Sequence, residues 1–398
     1  MRKVPYVGAI DIGSSTIKGM IAKKQNGSQQ IEVLSFKSLA SSGVRKGMVV
    51  DSNKVCEKIS ELKKLLEKES QKRLKEVFVN IGGHHIFVKN THGAVAISRA
   101  DQKVSQEDIE RVIENSRSIS LPFNKEVLEV IPKQFIIDGE GGIKDPLNLK
   151  GIKLEVESLA ICAFSPYVKN LIDAVLGADL EIAEIVPSPL AASLSVLGPQ
   201  QKELGVALVD IGAGTTSIAV FEEGNLIHLA ILPVGSSHIS NDIAIALQTE
   251  IEIAERIKLK FGEYIFKKSR RKEKIEIEPN KFFSFSVGKM TKAAKARVSE
   301  IFSLVRKELK KISKADSLPA GVVLTGGGAD LPGIVEFAKK ELSLPVKKAA
   351  PKNFVNLKTD PSLSVLCGLV LKGFTEETVL EEENLLHRVK KIFRKFLP

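Results

Sequence analysis

Short apolar runs at the start of the chain recur about half a chain later in the same order. Residues 6–10, 17–22 and 31–39 have the length and β-branched content of strands, and runs at 206–209 and 217–221 repeat the opening pair. Each pair brackets a short polar turn, which is the arrangement of a β-hairpin. The repetition predicts an α/β protein built from two related halves.

The remaining hydrophobic spacing alternates between helical and strand-like stretches. It predicts helices at residues 55–71, 165–176, 189–197, 240–262, 290–312, 334–342 and 365–371, and strands at 77–81, 181–186, 274–278, 282–287 and 321–324. A segment of different texture, roughly 84–162, has strand patterns at 86–89, 94–98, 127–138 and 154–162 around a helix at 105–118. This segment is predicted to be a small α/β module inserted into the first half.

The polar turns of the two hairpins are nearly identical. One reads Asp11-Ile-Gly-Ser-Ser-Thr16 and the other Asp210-Ile-Gly-Ala-Gly-Thr-Thr216. Small residues let backbone N–H groups approach phosphate oxygens, hydroxyls add donors, and a carboxylate holds Mg²⁺ through its hydration shell. One such turn alone is more often an ordinary hairpin. Two matched turns favour a nucleotide bound between the halves.

Two further motifs fit a nucleotide site. Gly326, Gly327 and Gly328 follow an apolar strand and precede a helix, which lets the backbone approach a flat or charged ligand. Glu255 and Lys258 lie three residues apart on one face of a predicted helix, where they would reach ribose hydroxyls or base edges. Taken singly, these motifs are also typical of a strand-to-helix turn and an exposed ion pair. Their order and spacing after the two turns make the nucleotide interpretation specific.

In these motifs the chain resembles the actin, Hsp70 and sugar-kinase ATPase superfamily, and within it the FtsA family of bacterial cell division proteins. The FtsA resemblance runs almost end to end and includes Gly43-Val-Arg-Lys-Gly-Met-Val-Val-Asp51, Asn80-Ile-Gly-Gly-His84 and the stretches 138–146, 241–244 and 296–301. It implies a duplicated actin-like fold, in which two RNase H-like subdomains enclose a nucleotide cleft. A small α/β subdomain is inserted, and an amphipathic helix ends the chain.

The resemblance implies a role for each motif toward ATP and Mg²⁺. Asp11 and Asp210 would flank Mg²⁺ and serve as the catalytic carboxylates. Phosphate contacts would come from Gly13, Ser14, Ser15, Thr16, Lys18, Gly212, Gly214 and Thr215. Glu255 and Lys258 would bind the ribose or adenine side, and Gly326, Gly327 and Gly328 would pack under the adenosine.

One departure from the superfamily concerns the water that attacks ATP. Hsp70-type members carry a glutamate before the proline of the connecting helix, where Ser188 stands in this chain. Hydrolysis requires an oriented water as well as charge neutralisation. The departure predicts at most a slow ATPase, in which ATP is a structural and switching ligand.

The resemblance also implies a division into subdomains. The first core subdomain, 1A, would comprise residues 1–83 and 163–200, with the inserted subdomain 1C at 84–162. The second core subdomain, 2A, would comprise 201–242 and 313–373, with subdomain 2B at 243–312. An acidic linker at 374–384 would lead to a membrane-targeting helix at 385–398.

The net charge of +11 is concentrated in two segments, 267–274 and 385–397, which carry +5 each. Because the rest of the chain is nearly neutral, a general nucleic-acid-binding surface is disfavoured.

In the second segment, one helical face would carry Leu385, Leu386, Val389, Ile392, Phe393, Phe396 and Leu397, and the other Arg388, Lys390, Lys391, Arg394 and Lys395. This pattern predicts a helix in the headgroup region of an anionic membrane. A terminal helix packed on the body and a helix bound by a calmodulin-type partner are the alternatives.

The resemblance therefore implies a cell division protein that polymerises on the inner face of the cytoplasmic membrane and anchors FtsZ filaments there. The acidic C-terminal tail of FtsZ would bind Arg297, and other divisome proteins would also be partners. The basic segment 267–274 is either a further contact for that tail or a solvated loop.

Three widely spaced cysteines and the absence of a signal peptide fit a cytosolic protein. The alternatives are a sugar or acetate kinase that uses Asp210 as general base, and an FtsA-related pilus-assembly scaffold.

Overall fold

The computed structural model describes residues 6–24, 30–267, 271–314 and 317–382. The predicted membrane segment at 385–397 lies outside the described residues, as do residues 268–270 of the basic segment.

The chain folds into alternating strands and helices. The first half contains β1 (Tyr6–Ile12), β2 (Thr16–Lys24), β3 (Ile31–Ala40), β4 (Val44–Arg45), β5 (Met48–Val49), α1 (Ser52–Ser70), β6 (Glu76–Ile81), β7 (Phe87–Ala96), α2 (Gln106–Arg117), β8 (Lys125–Ile137), β9 (Glu140–Ile143), β10 (Lys153–Phe164), α3 (Ser165–Gly177), β11 (Glu181–Pro187), α4 (Ser188–Val196) and α5 (Pro199–Leu204). The second half contains β12 (Val206–Ile211), β13 (Thr216–Glu222), β14 (Asn225–Leu232), α6 (Ser236–Leu247), α7 (Ile251–Phe261), β15 (Lys272–Glu278), β16 (Lys281–Ser286), α8 (Val287–Lys311), β17 (Val322–Thr325), α9 (Ile334–Leu342), β18 (Val346–Lys348), β19 (Phe354–Val355) and α10 (Ser364–Glu382).

Two sheets of matching topology confirm the predicted duplication. The first has the order β11-β6-β1-β2-β3-β19 and the second β14-β13-β12-β17-β18. In each sheet a three-stranded antiparallel meander is extended by parallel strands, with β1 and β6 in the positions of β12 and β17. Strands β1 and β12 are almost wholly buried, which explains their continuous apolar sequences. The paired topology brings both polar turns to corresponding ends of the two sheets.

The inserted module folds as a separate four-stranded sheet of order β7-β10-β8-β9, against which α2 packs. The sequence predicted two short strands at 86–89 and 94–98, whereas β7 is one continuous strand because it pairs with β10 along its whole length. Strand β9 forms a hairpin with β8 and was not predicted. The module has a small apolar core of its own and also contacts β14 of the second half.

The prediction of one helix at 240–262 is wrong. The structure has two helices, α6 and α7, because Gln248 adopts the left-handed conformation with φ 53° and ends α6. The apolar spacing continues across this break, so periodicity alone does not reveal it. The break reverses the direction of the chain, so that α7 packs back on α6.

The predicted boundaries after residue 350 are also wrong. Strand β19 pairs with β3, and α10 packs on α4, β1 and β6, so residues 354–373 join the first core subdomain instead of the second. Burial of apolar residues on one helix explains this placement: Val365, Leu366, Leu369 and Val370 lie in the core of the first sheet. The helix extends to Glu382, whereas the sequence ended it at 371 and predicted a linker from 374.

Candidate functional site

A cleft of about 1260 Å³ lies between the two sheets. Both polar turns line it, together with the glycines that follow β17, the first residues of α6 and one face of α7. Parallel pairing explains the convergence, because it sets the ends of β1 and β6 side by side in one sheet and those of β12 and β17 in the other. The turns predicted from sequence therefore face a single cavity.

The two turns share the same backbone closure and meet across the cleft. The N–H of Gly13 donates to the Thr16 carbonyl at 3.1 Å, and the N–H of Gly212 donates to the Thr215 carbonyl at 2.9 Å. A β-carbon added to Gly214 would lie 2.6 Å from Ser14 Oγ, so the second turn fits against the first only without a side chain there. The β4–β5 turn also contributes, since Gly47 N–H donates to Ser14 Oγ at 2.8 Å. That hydroxyl keeps its own proton for a ligand.

Asp11, at the end of β1, is buried and compensated by two donors. Asn80 Nδ2 lies 2.9 Å from Asp11 Oδ1, and Lys18 Nζ lies 3.4 Å from Asp11 Oδ2. Lys18 also donates to the carbonyl of Ser362 at 2.9 Å, which ties β2 to the segment before α10. Asn80 belongs to the sequence motif 80–84, but no role was predicted for it. The structure shows that its side chain orients the Asp11 carboxylate.

Ser188 lies at the cleft end of α4, where the sequence placed the departure from Hsp70-type members. Its hydroxyl donates to the Ile81 carbonyl at 3.0 Å and accepts from Asn80 Nδ2 at 3.0 Å. Both bonds are internal to the protein. The residue therefore buttresses Asn80 and offers no carboxylate to the cleft.

Asp210, at the end of β12, is buried without such compensation. Within the described part of the chain, no side chain or backbone N–H donates a hydrogen bond to its carboxylate. Burial, followed by the nearby negative charge of Asp11, raises its pKa to about 7, against a smaller lowering effect of Lys18. Gly326 makes room for this carboxylate, because it has φ 81° and a β-carbon there would lie 2.1 Å from Asp210 Oδ1. A cation in the cleft would relieve the cost of ionising Asp210.

The side of the cleft formed by α6 and α7 holds the predicted Glu255 and Lys258. Lys258 Nζ lies 2.8 Å from Glu255 Oε2 and 3.3 Å from the Ser236 carbonyl, and Ser240 Oγ donates to the same Glu255 oxygen. Lys258 is buried, whereas Glu255 is partly open to the cleft. The pair is thus part of the cavity wall and not the isolated surface ion pair that was its alternative.

The remaining predicted residues divide between the cleft and the surface. The cleft is also lined by the predicted residues Gly13, Ser15, Thr16, Gly212, Thr215, Gly327 and Gly328. Arg297 is not in the cleft: it lies on α8 and pairs with Asp242 of α6. Lys358 and Asp360 also line the cleft and were not predicted, because no motif marks the segment between β19 and α10 in which they lie.

The described residues show neither a cluster of metal ligands nor a membrane-spanning helix. In residues 6–382, outside the gaps given above, no group of three or more histidine, cysteine, aspartate or glutamate side chains is placed to hold a metal ion. No helix in the same part of the chain is long and apolar enough to cross a membrane. The cysteines Cys56, Cys162 and Cys367 are free thiols.

A duplicated sheet topology around a cleft, with an Asp-Gly turn from each half, defines the actin-like ATPase fold. Solved structures agree with this class. The structure of a PilM–PilN type IV pilus biogenesis complex superposes with a TM-score of 0.67 at 17% identity, covering 93% of this chain and 99% of that chain. MreB5 of Spiroplasma citri bound to ADP gives a TM-score of 0.55 at 14% identity, covering 95% and 99%.

Sequence comparisons identify the family within that class. A family model described as cell division protein FtsA matches residues 207–368, and one described as the SHS2 domain inserted in FtsA matches residues 83–162. The cell division protein FtsA of Bacillus subtilis (strain 168) is 34% identical over 365 residues, which cover 91% of this chain and 82% of the relative. The chain belongs to the FtsA family of cell division proteins. This membership confirms the predicted family and favours cell division over the kinase and pilus-scaffold alternatives.

Proposed function

We propose that the cleft binds ATP with Mg²⁺. The observation that carries the proposal is the contact of two matched Asp-Gly turns across one cavity, each with a buried carboxylate at its head. The phosphates would lie between the turns, against Gly13, Ser14, Ser15, Thr16, Lys18, Gly212, Gly214 and Thr215. Glu255 and Lys258 would face the ribose or adenine, and Gly326, Gly327 and Gly328 would lie under the adenosine.

The donors in the cleft fit a hydrated Mg²⁺. This ion keeps most of its water and is commonly held by one or two carboxylates together with substrate phosphates. Asp210 supplies a carboxylate that none of the described residues pairs with, and Asp11 supplies a second one that Lys18 and Asn80 hold in place. Bound Mg²⁺ would neutralise phosphate charge.

We propose that the protein hydrolyses ATP slowly, so that ATP stays bound as a structural and switching ligand. Ser188 stands where Hsp70-type members have their water-orienting glutamate, and its hydroxyl is used within the protein. Charge neutralisation without an oriented water supports only slow hydrolysis. The nucleotide would then hold the two halves closed, which favours assembly of the protein into filaments.

We also propose that residues 385–397 attach the protein to the cytoplasmic face of the membrane. Each of the five cations would contribute on the order of 1 kcal/mol near an anionic surface. Burial of seven apolar side chains, each about half buried, would add roughly 7 kcal/mol before ordering costs. One chain would therefore bind reversibly, and a filament would bind more tightly through many tails.

At the division site, the membrane-bound filament would hold FtsZ filaments and contact other divisome proteins. Arg297 is the proposed contact for the acidic tail of FtsZ, since α8 presents it at the surface of the second half, away from the cleft. The proposed subdomains are those given above, with residues 354–382 transferred to 1A.

Electron microscopy on a lipid monolayer tests these assignments together. With Mg-ATP, the full chain is expected to form filaments on a monolayer that contains anionic lipid. The double variant Phe393→Glu, Phe396→Glu should leave the monolayer bare while it retains ATP binding. Filaments of this variant on the lipid would overturn the membrane assignment, and absence of ATP binding by the natural chain would overturn the site.

A further inference from the structure

The Arg297 side chain is fixed by two carboxylates from different helices. Asp242 of α6 accepts from Nε at 2.7 Å and from Nη2 at 2.9 Å, and Glu300 of α8 accepts from Nη1 at 2.6 Å. The bidentate pair with Asp242 is the stronger restraint because both partners are only 24% exposed, whereas Glu300 is 51% exposed. Arg297 is therefore attached to α6 as firmly as to its own helix.

The guanidinium group still has donors for an external partner. Arginine has five N–H donors, and the three observed bonds leave one on each terminal nitrogen. A carboxylate can accept from both terminal nitrogens of a guanidinium group in bidentate fashion. An acidic peptide would therefore compete at Arg297 with Glu300, which is the more exposed of its two bound carboxylates.

Helix α6, which holds Arg297 through Asp242, begins at the second polar turn. The N–H of Ser236 donates to the Gly212 carbonyl at 2.8 Å, and the N–H of Ser237 donates to the Ala213 carbonyl at 2.9 Å. Gly212 and Ala213 both line the nucleotide cleft. Any shift of this turn on nucleotide binding must strain these bonds or move the start of α6.

The rest of α6 is held so that it moves as a unit. Ile239 and Ile243 are buried in the core of the second half, where α6 packs against α7 and α8. Ser240, two residues before Asp242, bonds to Glu255 in the cleft wall. Burial lowers the pKa of His238 in the first turn of α6, and the positive charge of Arg297 acts in the same direction. Packed interiors transmit displacements because they have few voids.

We propose that α6 couples the nucleotide cleft to an acidic-peptide site at Arg297, with Asp242 as the positioning residue that makes the connection. The inference rests on the proposed function for both sites and adds their linkage. Because coupling between two binding sites is reciprocal, the peptide must alter nucleotide affinity by the same factor by which nucleotide alters peptide affinity.

Two matched variants separate linkage from local charge. Asp242→Asn and Glu300→Gln each remove one negative charge that contacts the same guanidinium group, but only Asp242 lies on α6. The affinity of a synthetic peptide with the sequence of the acidic FtsZ tail is measured by calorimetry, with Mg-ATP and without nucleotide. The full chain should show a change of at least about fivefold between the two conditions.

Glu300→Gln should bind the peptide more tightly in both conditions and keep that ratio. Asp242→Asn should reduce the ratio to less than about twofold while ATP still binds with its natural affinity. A ratio that survives Asp242→Asn, or a natural chain whose peptide affinity ignores nucleotide, overturns the linkage. Peptide binding that is absent, or that is unaffected by Arg297→Ala, overturns the peptide site itself and the linkage with it.

Discussion

The two polar turns have nearly the same sequence and the same backbone closure, but their carboxylates lie in different electrostatic surroundings. In the first half, Asp11 is paired across the hairpin with Lys18 and next to Asn80 on the parallel strand. In the second half, the equivalent positions beside Asp210 hold Ser217 and Thr325. Thr325 donates its hydroxyl proton to the Pro361 carbonyl at 3.2 Å and not to Asp210.

The two equivalent carboxylates therefore differ in how far the fold itself compensates their negative charge. The first half compensates its carboxylate from within the fold, so Asp11 is in place before any ligand arrives. The second half buries Asp210 where none of the described residues donates to it, and burial together with the charge of Asp11 raises its pKa to about 7. A cation that arrives with a ligand would stabilise the ionised form of Asp210 more than that of Asp11, because the described residues supply no donor to Asp210.

The largest expected effect concerns the space that the second half reserves for its carboxylate. Gly326→Ala should destabilise the protein by about 2–5 kcal/mol, because a β-carbon at φ 81° would meet Asp210 Oδ1 at 2.1 Å and the Ile211 carbonyl oxygen at 2.6 Å. In the first half Ile81 occupies the equivalent position, so a side chain is tolerated there. The free energy of unfolding measured in urea checks this prediction.

Gly327→Ala is the matched control for that substitution. A β-carbon on Gly327 would have 3.7 Å to its nearest neighbour, so the control should change stability by less than about 1 kcal/mol. Equal effects of the two substitutions would show that the second half does not reserve space for Asp210.

The next effect concerns ligand affinity. Asp210→Asn should weaken Mg-ATP binding by about 10- to 100-fold, the range expected when a charged group loses its interaction with an ion. Asp11→Asn should cost less than about tenfold, since Lys18 is then released toward the phosphates. Calorimetric titrations with Mg-ATP and with ATP in EDTA measure both. If Asp11→Asn weakens Mg-ATP binding as much as Asp210→Asn or more, then binding does not depend more on Asp210 than on Asp11.

The smallest effect is a pH dependence of stability without ligand. Since the folded state raises the pKa of Asp210 from its ordinary value of 3.8 to about 7, it binds this proton more tightly than the unfolded chain does. The stabilisation is complete below about pH 4 and is lost as the pH rises through 7. From pH 6.5 to 8 in EDTA, the natural chain should lose about 0.8 kcal/mol more than Asp210→Asn. Parallel pH profiles of the two proteins would contradict a buried, uncompensated Asp210.

The sequence was sufficient for the features that repeat. The duplication and both hairpins followed from apolar periodicity and from motifs with matched spacing, which occur twice in the chain. The inserted module followed from its change of pattern, and most of the cleft residues followed from the motifs, though not Lys358 and Asp360. The family assignment followed from the same motifs taken together.

The sequence was insufficient where tertiary contacts decide the outcome. A single left-handed residue, Gln248, divides a continuous apolar pattern into α6 and α7. The crossing of residues 354–382 to the first sheet depends on which core accepts Leu366 and Leu369, and no local signal records that choice. The surroundings of Asp210 likewise depend on strand register, which places Ser217 and Thr325 beside it where the first half has Lys18 and Asn80.

A crystal structure with Mg-ATP would show directly whether the two turns bind nucleotide. We expect triphosphate between the turns at 11–16 and 210–216, with a hydrated Mg²⁺ about 4–5 Å from the carboxylates of Asp11 and Asp210, as expected for contact through water. Nucleotide bound elsewhere on the protein would exclude this site. So would a metal ion in the cleft held by Asp11 and remote from Asp210.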